Sequence, residues 1–232
     1  KTLVQNFIEN KKEISDFTDK YYGIGFQTVS QPFQYIIQKI IRQFLDIDIY
    51  GAKLTSKHPI IFIFHLISGL FFFKILNRVT NSINYSYSGT ILYLIYPYLL
   101  GHSFANPKDI PFSSIWIMCT YLSFNIFDLY IREKKIKIIC ITLLALSISF
   151  LLSIRIAGIL IFVQLFILLF FFLNNIEISF KDFINKIFTK LVFLFLLVLF
   201  FTVLFYPIFW NNPLEIIQAI KLMGKFPQDV CT

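Results

Sequence analysis

The feature that most restricts this chain is a series of six apolar blocks, each close to the length that crosses roughly 30 Å of hydrocarbon, separated by short polar loops. The blocks span 59–76, 85–100, 110–131, 136–152, 156–173 and 191–208. Continuous apolar runs of this length read as membrane-crossing helices rather than as core elements of a soluble domain. Composition agrees: 57% of residues are hydrophobic and 15% are charged, against about 25% charged in an ordinary soluble domain. The 30 phenylalanines and 12 tyrosines exceed what a soluble core of this size takes up. The expected fold is all-α: a polytopic transmembrane bundle of about six spans, with amphipathic interfacial helices in the first outer loop.

The loops set an expected orientation. Lys74, Arg78, Arg132, Lys134, Lys135, Lys137, Lys181, Lys186 and Lys190 fall in alternate loops. The intervening short loops hold only Lys108 and Arg155. Nine against two assigns the first set to the cytoplasm. The segment 1–57 then lies outside the cytoplasm, 58–209 is the bundle, and 210–232 begins a further outer loop. The eight basic residues of 1–57 do not overturn this, because long segments translocate largely regardless of charge. The net charge of +8 therefore reads as topology and contact with lipid phosphate, not as a nucleic-acid footprint. The sequence begins at Lys1 and stops at Thr232 just after a loop, and reads as a piece of a longer chain.

Within 1–57, Phe33, Ile36, Ile37, Ile40, Ile41, Phe44 and Leu45 follow i, i+3, i+4 spacing, with Ser30 and Pro32 as the expected helix start. Such a helix fits either the membrane interface or a small soluble cap. A second surface helix is expected after Asn212-Pro213, ending at Gly224. Cys119 and Cys140 lie within apolar blocks and read as small hydrophobes; there is no CxxC and no Cys/His metal spacing.

Polar residues gather in the outer loops, which hold nine of the thirteen carboxylates. The loop after the second block brings His102, Asn106, Lys108 and Asp109 together just before a span. Asp109 there is either a helix cap favoured by the dipole or a carboxylate that deprotonates an acceptor, with Lys108 and His102 available for phosphate. Arg155, between two apolar spans, either snorkels to headgroups or grips a lipid phosphate. His58 precedes the first span and is positioned to face the outer site, whereas His65 within it reads as a packing residue. Asp128 is expected to pair with Arg132, four residues on.

The loop GHSFANPKDIPF (101–112), the turn SIRIAGIL (153–160) and the tail YPIFWNNPLEIIQAIKLMGKFPQ (206–228) resemble polytopic glycosyltransferases of the GT-C type. These are the family-39-like relatives of protein O-mannosyltransferases and of the bacterial aminoarabinose transferases that modify lipid A. DFTDKYYGIGF (16–26) and KHPIIF (57–62) add to the likeness. The resemblance implies transfer of a sugar from a polyprenyl-phosphate donor to a lipid, glycan or protein acceptor on the non-cytoplasmic face, with inversion. It implies catalytic carboxylates at Asp109 and, in the first outer loop, at Asp16 and Asp19. It implies a donor-phosphate site at Lys108, Arg155 and His102, supported by Asn106 and His58. Some members use a divalent metal ion, though no ligand spacing here demands one. The family's first acidic pair follows a span that would lie upstream of Lys1, so this piece is expected to be catalytically incomplete. The Ile, Phe, Lys and Asn bias points to a bacterial inner (plasma) membrane, with the site facing the periplasm or exterior. A transporter and a non-catalytic envelope scaffold are the alternatives. The near absence of mid-span charges argues against a permeation path.

Overall fold

The computed structural model describes residues 24–133, 136–174, 187–206, 210 and 215. Asp16, Asp19 and, apart from Glu215, the expected tail helix lie outside them.

Every regular element among the described residues is helical. In chain order they are α1 (Ile24–Phe44), α2 (Ile49–Thr55), α3 (Lys57–Thr80), α4 (Ile83–Ile95), α5 (Pro97–Ser103), α6 (Asp109–Glu133) and α7 (Ile138–Ile154). A 3-10 turn (Ile156–Ile159) then leads into α8 (Leu160–Asn174), and α9 (Thr189–Phe205) follows. Three stretches are long and apolar enough to cross a membrane: Ile49–Thr80, Asp109–Glu133 and Ile156–Asn174. Ile138–Ile154 and Thr189–Phe205 are apolar but shorter. At 1.5 Å per residue, α6 is about 37 Å long and α7 about 25 Å. The expected second span is broken at Tyr96–Pro97, where proline supplies no N–H.

The distribution of side chains suits lipid rather than water outside. Ser68, Ser86, Ser103, Ser123, Ser149 and Ser153 are fully buried, while Phe166, Phe170, Phe171, Phe195 and Phe200 are exposed. Small residues inside let helix backbones approach closely. Ser149 Oγ lies 2.8 Å from the Ala145 carbonyl and 2.9 Å from that of Val198, tying α7 to α9. The core is a cluster of Ile60, Ile61, Ile110, Ile148, Leu151 and Ile154 with their neighbours from α3, α6 and α7.

Two ion pairs mark the two ends of the bundle. Asp109 at the start of α6 meets Arg155 after α7 at 2.5 Å. At the other end Arg78, late in α3, meets Asp128, late in α6, also at 2.5 Å. Asp128 thus bonds across helices and not to Arg132 on its own helix, contrary to the spacing-based expectation. The antiparallel neighbour brings a guanidinium closer than the (i, i+4) side chain, and Arg78 also stacks 4.9 Å over the Phe124 ring.

His65 is buried in α3, and its Nε2 lies 3.1 Å from the Leu94 carbonyl. That carbonyl loses its helical partner where α4 ends before Pro97, so the imidazole N–H takes the place of the missing backbone donor. His65→Phe is expected to lower stability by about 1–3 kcal/mol by leaving Leu94 unsatisfied, measured as a shift in the thermal or denaturant midpoint.

Helix α1 is already helical at Ile24, the first described residue, ahead of the expected start at Ser30. It runs through Pro32, which stands on the exposed side where a lost backbone bond is least costly. Its expected apolar face is divided. Ile37 packs against the core, whereas Phe33, Ile36, Ile40 and Phe44 are left exposed. The residues turned into the protein are Ile24, Gly25, Phe26, Ser30 and Gln34.

Candidate functional site

The site forms at the end of the bundle where α3 begins, α5 ends, α6 begins and α7 ends. The loop from Phe104 to Lys108 is fastened there from both sides. His58 Nδ1, in the first turn of α3, hydrogen-bonds the Phe104 carbonyl, and the Phe62 and Phe104 rings stack with centroids 5.2 Å apart. The His102 ring lies 4.4 Å from that of Tyr98.

Asn106 organises the loop. Its Oδ1 accepts from the backbone N–H groups of Lys108 (3.1 Å) and Asp109 (2.9 Å). The capping duty expected of Asp109 is therefore carried by Asn106, which satisfies donors left open at the α6 N-terminus. With its oxygen so engaged, the amide nitrogen of Asn106 must point the other way. It donates to Asp109 Oδ2 at 2.7 Å and lies 3.2 Å from His102 Nδ1. An NH₂ group can only donate, so His102 Nδ1 accepts and the ring proton sits on Nε2.

Asp109 then has one oxygen on Asn106 and the other on Arg155 Nη2, 2.5 Å away. Each carboxylate oxygen keeps a further lone pair for an incoming donor. The side chain is 44% exposed, so it remains reachable.

Arg155 ends α7 in extended backbone, its N–H on the Leu151 carbonyl (3.2 Å) and its own carbonyl accepting from Gly158 (2.9 Å). The chain must double back tightly. A Cβ on Gly158 would stand 3.2 Å from the Leu151 backbone, so glycine fits there with the least disturbance. The Arg155 side chain is 34% exposed, but its Nε is buried and has no hydrogen-bond partner. A buried guanidinium donor without an acceptor is costly and suits an anion. Lys108, Asp109 and Arg155 together carry one net positive charge.

Of the residues singled out from the sequence, His58, His102, Asn106, Lys108, Asp109 and Arg155 thus converge on one end of the bundle. Sequence reasoning missed the Phe104 carbonyl, which carries no side-chain signal. It also missed Tyr206, buried after α9, whose hydroxyl lies 3.3 Å from the Leu152 carbonyl and 3.4 Å from that of Ser153, bracing the turn that carries Arg155. Among the described residues no three His, Cys, Asp or Glu side chains come together as a metal site. No protein-family model, curated protein or solved structure matches the chain.

Proposed function

We propose that this chain belongs to an integral-membrane glycosyltransferase that crosses the bilayer six times and moves a sugar from a polyprenyl-phosphate donor to a lipid, glycan or protein acceptor at the non-cytoplasmic face. The observation that carries the reading is the contact of Asp109 with Arg155, whose Nε still lacks an acceptor. The resemblance of the 101–112 and 153–160 segments to GT-C transferases supports it, since those two segments meet in this contact. The nine-to-two bias of basic residues supports the orientation. The uncovered strip of Phe33, Ile36, Ile40 and Phe44, with Lys39 and Arg42 on the same helix, supports placing α1 in the lipid interface.

The chemistry follows from charge. The acceptor hydroxyl attacks the anomeric carbon, the carbon–oxygen bond to phosphate breaks, and the hydroxyl proton passes to Asp109. The donor phosphodiester leaves as a phosphate monoester and gains negative charge. Arg155 and Lys108 stabilise that charge as it develops. The donor phosphate competes with Asp109 for Arg155, and its arrival frees the carboxylate to act as base. Asn106, itself bonded to His102, holds the carboxylate in place. No step in this scheme passes through a metal ion.

A second reading, a non-catalytic scaffold, is favoured by one fact: both Asp109 oxygens already have partners, as in an ion pair that only fastens α6 to α7. Membranes containing the full-length protein, supplied with labelled polyprenyl-phosphate sugars, separate the two. Labelled acceptor is the expected product. A folded protein that transfers none of a panel of such sugars would sink the transferase reading.

A further inference from the structure

At the opposite end of the bundle from Arg155, helices α6, α7, α8 and α9 leave a partly open groove between them. Its walls are apolar, from Phe127, Leu144, Leu165, Leu169 and Leu194, and one charge stands on its rim, Lys190 in the first turn of α9. Of the other cations described at this end none lines the groove, and Arg132 is exposed. Arg78 is paired with Asp128, Lys137 with Glu133, and Lys74 sits over the Phe71 and Tyr121 rings. Lys190 is half-buried and has no carboxylate partner among the described residues. The one polar side chain deeper in the groove, Ser123, spends its hydroxyl on the Cys119 carbonyl.

An apolar trough with a single half-buried ammonium at its mouth matches one kind of ligand: a hydrocarbon chain ending in an anion. We propose that the groove holds an acyl chain of an anionic phospholipid, whose phosphate pairs with Lys190. Basic pockets between membrane helices recognise such headgroups. The proposal rests on the membrane reading of the chain and is independent of the transferase reading. Its occupant is a structural lipid from the leaflet at the Lys190 end, far from the Asp109–Arg155 contact.

The test uses the full-length protein in bilayers of equal phosphatidylglycerol and phosphatidylcholine, extracted in mild detergent, with retained lipid identified by native mass spectrometry. The unaltered protein is expected to retain phosphatidylglycerol by roughly fivefold, the worth of one lysine near an anionic headgroup. Lys190→Gln is expected to bring the two lipids to parity, and Lys190→Arg to keep the preference. Leu169→Trp, which fills the groove, is expected to lose the retained lipid whatever its headgroup. Parity in the unaltered protein overturns the proposal, as does an unchanged preference in Lys190→Gln. Should the tryptophan variant misfold, the Lys190 pair of variants still decides.

Discussion

Asp109→Asn is expected to slow sugar transfer by roughly 10²- to 10⁴-fold, the usual worth of a positioned general base, with a lowered donor KM because a neutral amide competes less for Arg155. The substitution keeps the shape of the side chain and an oxygen that Arg155 can still bond. What it removes is the ability to accept a proton. Arg155→Ala is expected to act on both constants. It removes a donor aimed at the developing phosphate charge, worth roughly 10²- to 10³-fold in kcat, and it weakens donor binding, so KM rises as well. Arg155→Lys keeps the charge without the fork and is expected to recover only part of the loss. The split between kcat and KM distinguishes these roles from a clip that merely joins α6 to α7. A clip predicts equal losses for the two single variants, no further loss in the double variant, and a matching fall in thermal stability. Wild-type activity in both folded variants would remove Asp109 and Arg155 from the site altogether.

Gly25→Leu is the second large effect, and it concerns packing. An ideal Cβ on Gly25 would stand 1.7 Å from Ser153 Oγ, 2.5 Å from Ser153 Cβ and 3.1 Å from the Ser153 backbone. Ser153 is fully buried and its hydroxyl is bonded to the Phe150 carbonyl at 2.7 Å, so it has little room to yield. Helix α1 must then lift away from α7. Overpacking of this kind costs about 1–3 kcal/mol, and here it also uncovers Phe26, which is 2% exposed and sits edge-on to Phe64. The expected result is a lowered melting temperature together with faster hydrogen exchange across α1. Ser153→Gly removes the Oγ and Cβ from the contact, so the pair Gly25→Ala with Ser153→Gly is expected to regain most of the stability that Gly25→Ala alone loses. Unchanged exchange in Gly25→Leu would mean that α1 does not rest on α7.

Much of the candidate site could be read from residue types and spacing. Lys108 and Asp109 at the head of one apolar block, and Arg155 at the end of the next, had to share an end if consecutive blocks were antiparallel. Their loop is short, and short connections force neighbours to run back and forth. The role of Asn106 was less legible. Cap preference is similar for Asn and Asp, so sequence could not rank Asn106 above Asp109 as the group that holds the α6 N-terminus. The pairing of Asp128 was misread for a related reason. Helical spacing nominated Arg132, but the competing guanidinium of Arg78 is fifty positions away in the chain and next door in space.

Composition and the rhythm of apolar blocks determined that the described chain would be helical and apolar on its outside. In a low-dielectric surround every backbone donor must be satisfied within its own segment, and that requirement is local. The starts of α3, α4, α6, α7 and α9 were local as well, to within a few residues, whereas the short helices α2 and α5 were not read from the sequence, and α1 is already helical at Ile24, ahead of its sequence signal at Ser30. Tertiary structure alone decided which half of the α1 apolar strip is covered, that α7 and α9 share Ser149, and that Arg155 rests on Asp109. A periodic pattern states which face of a helix is apolar. Only the fit between distant segments states what that face, or the charge beside it, will touch.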